Sequence, residues 1–301
     1  MIVAGRIVRQ GWALLRDTLV SFIDDYALTR GAAIAYYTIF SLAPVLLIAI
    51  AVAGLVFGYS AAQGAIVGQL SGLMGPDSAS ALQSLLQGAR YRGGSLLATS
   101  IGIVTLAVTA TGVFTELQSA LNVVWKAAPA RSMTMAIVRA RLLSLGLVAS
   151  LGFLLLVSLA ASALLQAAGQ WVNHSTGGLH SAIQFANNLV SFVLVTVLFA
   201  AIYKVLPDRD IAWGDVSVGA LGTSSLFVAG KYLIGLYIGS SAIASSYGSA
   251  GSLLVLLLWI YYSVQIFLLG AEFTKTYAEW RLGGHKPELQ HAAREPDASR
   301  R

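Results

Sequence analysis

The residues best suited to chemistry in this sequence are few, and three of them share one helical face near the C-terminal end. Tyr261, Gln265 and Glu272 stand at i, i+4 and i+11, which places their side chains on the same side of a helix. They accompany a run from Ser252 to Ala271, which is twenty residues long and has no charge. At about 1.5 Å per residue this run is about 30 Å long, the thickness of a bilayer's hydrocarbon core. The pattern predicts a membrane span with one face turned toward protein or water.

Glu272 is the acid with the strongest case for a function. An ionisable residue at the edge of a membrane is a functional candidate by default and is often paired. Arg30 and Glu116 are expected at a similar depth, so we predict a charged network of these three residues, with an ion or proton site at Glu272 or a latch between Glu272 and Arg30. The alternative is a solvated interfacial carboxylate that simply ends a helix, and Glu116 has the same two interpretations.

A second group of polar residues precedes Pro44 within an apolar run. Proline has no backbone N–H, so it is expected to kink the helix or to break its hydrogen-bond ladder. Tyr36, Tyr37 and Ser41 lie just before it. One interpretation is that they line a cavity at a broken helix, as in transporters. The other is a packing kink whose freed carbonyl is capped by Ser or Thr.

The last span also contributes to this hypothesis. Tyr261, Tyr262 and Gln265 are predicted to face the same cavity from the opposite side. The alternative is ordinary interior packing, in which tyrosine pairs are common.

The sequence offers little for catalysis. It has no cysteine, which excludes disulfides, thiolate metal sites and a cysteine nucleophile. The four histidines lack the spacing of a metal site, and no Walker A, G-x-S-x-G or dinucleotide-binding motif is present. We therefore predict no catalytic residues, no metal and no cofactor, and the chain is not expected to be an enzyme.

Composition identifies the class of protein that must position these residues. Hydrophobic residues make up 57% of the chain and charged residues 11%, whereas about 25% charged is usual in soluble domains. The mean hydropathy is +0.75. We predict an all-α fold, a polytopic bundle of six transmembrane helices with interfacial amphipathic helices.

Apolar periodicity divides the chain into three parts. Residues 1–30 form an amphipathic helix that lies in the interface or, alternatively, packs on the bundle. Residues 31–275 form the membrane domain, and residues 276–301 a disordered tail. The six spans are expected at about 32–58, 95–115, 142–168, 183–203, 212–237 and 252–273. Between the first two, residues 60–94 predict a helical hairpin on the membrane surface.

The basic residues predict the orientation. If the N-terminus is inside, sixteen Lys and Arg lie in inner segments, while only Arg90 and Arg92 lie in outer ones. Such a bias places both termini in the cytoplasm. It also accounts for the net charge of +6 through topology and contact with anionic lipid, so no nucleic-acid partner is expected.

Four segments in order carry a family resemblance: RGAAIAYYTIFSLAPVLLIAIA, FTELQSALNVVW, AIYKVLPD and YGSAGSLLVLLLWIYYSVQIFLLGAEFTK. Together they resemble the YihY/BrkB family of bacterial inner-membrane proteins, once described as ribonuclease BN, over about residues 10–283. The resemblance implies a six-span, multi-pass inner-membrane protein. The family's names suggest a ribonuclease, a link to virulence or serum resistance and, for some relatives, export of envelope lipid. It supplies no family-wide catalytic residues.

These observations together predict a transporter or flippase-like protein for a lipid or small amphiphilic substrate, with membrane lipid as its partner. A Pro-interrupted first span and a Gly-rich fifth span favour this function. The alternative is an envelope scaffold or assembly factor without transport. A ribonuclease is the least expected, because the segments assigned to the cytoplasm carry mainly arginines and not a set of acids and bases.

Overall fold

The computed structural model describes residues 2–74, 76–91, 112–127, 179–240 and 251–283, and these residues contain helices and turns but no strand. The helices are α1 (Ile2–Asp24), α2 (Ala27–Phe57), α3 (Tyr59–Met74), α4 (Pro76–Tyr91), α5 (residues 112–124), α6 (Leu179–Val205), α7 (Trp213–Ser240) and α8 (Gly251–Arg281). The prediction of an all-helical chain is confirmed for this part of the protein.

Four of the helices coincide with predicted spans. Helices α2, α6, α7 and α8 cover the first, fourth, fifth and sixth of them. Within the described residues, Asn188–Val205 and Leu253–Arg281 are long and apolar enough to cross a membrane. The third predicted span and most of the second lie outside the described residues, as does the tail beyond residue 283. The count of six spans and the orientation therefore stay predictions.

A left-handed residue joins α1 to α2. Tyr26 has φ 54° and ψ 38°, a conformation that non-glycine residues seldom adopt. The Arg30 Nε donates a hydrogen bond of 3.1 Å to the carbonyl of Asp25, which satisfies a backbone group at this corner. Because of the corner, α1 turns away from the axis of α2 and packs along α8 through its buried Thr18 and half-buried Phe22.

Helix α2 runs from Ala27 to Phe57 without interruption. Pro44 therefore does not end the helix, although it removes one bond of the ladder, and the kink stays a prediction. The hydroxyls of Thr38 and Ser41 donate to the carbonyls of Ile34 and Thr38, so neither hydroxyl caps the carbonyl of Phe40, the residue four positions before the proline. One missing N–H is tolerated because the neighbouring turns keep their bonds and the helix is held by packing along its length.

The predicted hairpin after α2 forms as α3 and α4. It packs beside α2 and α8, because Ile66 of α3 and Leu82 of α4 share one buried apolar cluster with Ile50 of α2 and Leu256 of α8. The hairpin therefore lies against the helices of two predicted spans over several turns of each. Its location on the membrane surface stays a prediction.

The tightest packing joins α6, α7 and α8. At Gly270 a Cβ atom would overlap the hydroxyl groups of Thr223 and Tyr203, and at Gly219 it would overlap Thr274. Glycine lets the backbones approach closely at both positions. The buried Tyr203 hydroxyl uses this proximity to donate a bond of 2.7 Å to the carbonyl of Phe267. This core fixes the rotation of α8 about its own axis and thereby decides where its polar residues point.

Candidate functional site

The most unusual polar group in the described structure is the carboxyl of Glu272. Its residue is 0% exposed, so the alternative of a solvated interfacial acid is wrong. Helix α8 does not end there but continues to Arg281. Helices α1, α2 and α7 pack around this part of α8, so the side chain is enclosed and cannot extend to solvent.

Two further charged side chains meet Glu272. The Lys275 Nζ lies 3.6 Å from Glu272 Oε2 and 4.0 Å from Asp25 Oδ2. Both acids contact the same Nζ, which places their carboxyl groups in one small site. We call Asp25, Glu272 and Lys275 the charged cluster. Lys275 lies one turn after Glu272 on α8, and Asp25 is brought to them by the corner at Tyr26.

The groups of the charged cluster lack hydrogen bonds. Within the described residues, no donor makes a hydrogen bond to either carboxyl oxygen of Glu272 or to Oδ2 of Asp25. The nearby Thr276 hydroxyl donates to the backbone carbonyl of Glu272 and not to its carboxyl. Buried charges in proteins are normally paired and hydrogen-bonded, because desolvation otherwise costs several kcal/mol. An exception of this kind is a mark of a functional position.

The predicted network of Arg30, Glu116 and Glu272 does not form. The ion-pair partner of Glu272 is Lys275, and Arg30 directs its Nε to a backbone carbonyl. Glu116 is half-buried on α5 and makes no ion pair with a described residue. The depth of the three residues suggested proximity, but depth does not specify the rotation of each helix. The i, i+3 spacing of Glu272 and Lys275 is the signal that could have identified the true pair.

Gln265 lies two turns before Glu272 and faces the corner between α1 and α2. Its Nε2 donates a bond of 3.4 Å to the carbonyl of Leu28, while its Oε1 is buried without a partner. Gly31 of α2 lies directly opposite, and a Cβ atom there would overlap the Gln265 amide. The polar face of α8 therefore points toward the start of α2.

The tyrosines do not share one cavity wall. Tyr262 packs against Gly230 of α7, and Tyr261 packs on the apolar cluster formed with the hairpin. Tyr36 is 59% exposed and lies on the side of α2 opposite Gly31, which faces α8. Tyr37 contacts Gly112 of α5. The described residues therefore do not bring Tyr36, Tyr37, Tyr261, Tyr262 and Gln265 together on one wall, and a common cavity stays a prediction. Ser41 is buried beside Thr38.

Tyr36 belongs instead to an exposed aromatic strip on α2. Its ring lies 4.9 Å from that of Phe40, which is 55% exposed. Leu28 and Ala32 continue the same exposed face toward the start of the helix, because the four residues recur at i+4 intervals. We call Leu28, Ala32, Tyr36 and Phe40 the aromatic strip.

A second polar cluster joins α5 to the turn between α6 and α7. Asp208 Oδ2 accepts bonds from Asn122 Nδ2 at 2.8 Å and from Gln118 Nε2 at 3.1 Å. The backbone N–H of Asp208 donates in return to Asn122 Oδ1 at 2.8 Å, and Arg209 donates to the carbonyl of Trp125 at 2.7 Å. We call these residues the amide clamp. Sequence reasoning identified both segments only as parts of the family resemblance and did not predict their contact.

Neither cluster resembles a metal centre. Within the described residues, no group of three or more His, Cys, Asp or Glu is arranged to hold a metal ion. His174, His285 and His291 lie outside those residues.

Comparison with known proteins agrees with the membrane class. A family model described as virulence factor BrkB matches residues 18–296. Proteins named UPF0761 membrane protein are similar to the chain: that of Rhodospirillum centenum is 24% identical over 90% of the chain and 58% of its own length, and that of Stenotrophomonas maltophilia is 26% identical over 86% and 59%. The relative from Pseudoalteromonas translucida is 27% identical over 90% and 87%.

The chain thus spans less than two thirds of the length of the first two relatives. No solved structure matches it. None of the three relatives' names describes an enzyme. The chain is a membrane protein and belongs to the virulence factor BrkB family.

Proposed function

We propose that this protein is a multi-pass transporter of a bacterial inner membrane that moves a lipid or small amphiphile between the two leaflets. The observation that carries this proposal is the aromatic strip. It exposes two rings and a phenol hydroxyl on a helix that the sequence assigns to the membrane. Purely lipid-facing positions favour aliphatic side chains, whereas tyrosine combines an apolar ring with a polar tip that suits an amphiphilic ligand.

A positive charge precedes the rings of the aromatic strip along α2. Arg30 lies six residues before Tyr36 and ten before Phe40, which is about 9 Å and about 15 Å along the helix. An amphiphile with an anionic or polar head group would share this axial order of charge first and rings after it, although Arg30 leaves the helix about 120° around the axis from Tyr36. The guanidinium would act through its charge, since its Nε already holds the α1–α2 corner.

The test is lipid movement in reconstituted vesicles. Head-group-labelled lipid is incorporated with purified protein, and its transfer between leaflets is followed by bleaching the outer leaflet with a membrane-impermeant reductant. Replacing both Tyr36 and Phe40 by Ala is expected to lower the initial rate to near that of protein-free vesicles. The fold should survive, because both side chains are exposed.

A control variant removes one tyrosine and one phenylalanine from exposed positions of other helices. Tyr232 on α7 and Phe185 on α6 are 63% and 70% exposed, so a Tyr232→Ala, Phe185→Ala double variant removes the same side chains from other helices. Its rate should equal that of the unmodified protein. Equal losses in both double variants would contradict a role for the aromatic strip, and no lipid movement with any envelope lipid would contradict transport.

A scaffold or assembly role is the second candidate, and one observation favours it. Helix α1 exposes an apolar face that includes Trp12, Leu15, Leu19 and Ile23, which is suited to the membrane interface or to a partner. An enzymatic role, ribonuclease included, is not proposed. The charged side chains of the amide clamp and charged cluster are engaged with each other or buried, rather than gathered in an open cleft where RNA would be cleaved.

A further inference from the structure

We propose that the charged cluster is a proton-binding site in which Asp25 and Glu272 hold one proton between them beside Lys275. This inference rests on the proposed transport for its purpose, since the site would couple lipid movement to a proton gradient. The binding itself is independent of transport and can be tested alone.

The charges of the ionised cluster do not balance. With both acids ionised and Lys275 protonated, the charged cluster carries one uncompensated negative charge in an enclosed site. The other charged groups nearby are already engaged or face outward: Arg30 on α2 bonds the Asp25 carbonyl, Asp215 on α7 pairs with Arg281 at 2.9 Å, and Asp24 and Glu279 are exposed. Glu116 of α5 is half-buried, and Lys126, in the turn after α5, is exposed. One bound proton makes the cluster neutral and removes the cost of burying the extra charge.

The distances from Lys275 to the two acids are also longer than hydrogen bonds. A structural ion pair places donor and acceptor within hydrogen-bond distance, whereas both contacts of Lys275 exceed 3.5 Å. Meanwhile both oxygens of Glu272 and Oδ2 of Asp25 have no donor within the described residues. A carboxylic acid supplies the missing donor: the proton on one carboxyl group can be donated to the other group as a short O–H···O bond.

The ligand is a proton rather than a metal cation. Lys275 carries a positive charge within 4.0 Å of both acids and would repel Na⁺ or a divalent ion at the same place. No third acid or histidine of the described residues completes a metal site. Such ions prefer six or more oxygen ligands, while a proton requires only the two carboxyl groups.

The site has an entrance for the proton. The side chain of Asp25 is 20% exposed, whereas that of Glu272 is 0% exposed. A proton from water therefore binds to an oxygen of Asp25 first and transfers to Glu272, and the charge of the cluster changes from −1 to 0. Because Asp25 lies at the α1–α2 corner and Glu272 on α8, protonation weakens the attraction of Lys275 for Asp25 and loosens α1 from α8.

Infrared difference spectroscopy of the full chain in lipid nanodiscs tests the site directly. As pH falls, the unmodified protein should gain the C=O stretching band of a buried protonated carboxylic acid. Glu272→Gln should remove this band, and Asp25→Asn should shift or remove it. Glu279→Gln, at an exposed position of the same helix, should leave it unchanged. A spectrum with no such band, or a band that survives in both Glu272→Gln and Asp25→Asn, would overturn the proposal.

A second measurement separates this inference from the proposed transport. Lipid movement in vesicles with an imposed pH difference should be faster than without one, and Glu272→Gln should abolish the difference. Lipid movement that ignores the gradient in the unmodified protein would overturn the coupling and leave transport in place. Absence of all lipid movement would overturn transport, and the infrared band would then decide the proton site alone.

Discussion

The part-buried amide clamp and the more deeply buried charged cluster are both polar contacts between distant segments, yet they are built in opposite ways. In the amide clamp, Asp208 accepts from two side-chain amides and donates its own N–H back to Asn122, all at 2.8–3.1 Å. In the charged cluster, the carboxyl of Glu272 accepts no hydrogen bond from a described residue, and Nζ of its partner Lys275 lies 3.6 Å away. Polar groups whose hydrogen bonds are all made resist rearrangement. Groups that lack hydrogen bonds can gain them in a second conformation.

This difference indicates that the amide clamp stabilises the fold, whereas the charged cluster changes its protonation during function. The carboxylate, amides and backbone groups that form the amide clamp are matched by one another, and only the ring Nε1 of Trp125 beside them lacks a partner among the described residues. The charged cluster is completed only by something that enters from outside. Substitutions in the two regions should therefore separate stability from activity.

The largest effect is expected from Lys275→Met. The substitution keeps much of the side-chain volume but leaves the buried Glu272 and the partly exposed Asp25 without a cation, and removing one partner of a buried pair costs about 3–5 kcal/mol. Thermal unfolding in detergent should show a much lower melting temperature. Arg16→Gln is the control, since it breaks the exposed Arg16–Asp17 pair of 3.1 Å. An equal melting temperature for Lys275→Met and Arg16→Gln would contradict the burial of the cluster.

An intermediate effect is expected from Asn122→Ala in the amide clamp. It removes one bond to a charged carboxylate and one from a backbone N–H, and leaving such groups unpaired costs about 1.5–3 kcal/mol. The same unfolding measurement applies. Ser119→Ala, at an exposed position of α5, is the control and should be neutral; a neutral Asn122→Ala would show that the clamp does not hold the fold.

The smallest effect on stability is expected from Glu272→Gln. Glutamine has the shape of a protonated glutamate, and Lys275 keeps Asp25 Oδ2 at 4.0 Å as its counter-charge, so the substitution leaves no buried charge uncompensated. Its melting temperature should stay near that of the unmodified protein and above that of Asn122→Ala. A loss as large as that of Lys275→Met would mean that Glu272 is a structural ion-pair partner and not a proton site.

The sequence predicted the helices well, because long apolar runs leave few alternatives. It also identified Glu272 as the leading acid and Gln265 as its companion on one face of α8. It paired Glu272 with Arg30 instead of Lys275, and it missed the approach of Asp25 to that lysine, because this approach depends on the left-handed Tyr26, a residue type with no preference for that conformation.

The sequence did not predict that α2 continues through Pro44 or that Tyr36 and Tyr262 point in different directions. Both depend on how neighbouring helices are rotated. That rotation is set by close contacts such as Gly31 with Gln265 and Gly230 with Tyr262. A single sequence shows that a glycine is present but not which side chain lies against it.

Lipid movement per folded molecule, measured for Glu272→Gln and Asn122→Ala in the same vesicles, tests the central distinction most directly. We expect Glu272→Gln to lower the rate by about tenfold or more under a proton gradient, within the range of a coupling free energy between sites, although the protein remains stable. Asn122→Ala should be less stable but keep its rate. A normal rate in Glu272→Gln together with a lost rate in Asn122→Ala would contradict the account.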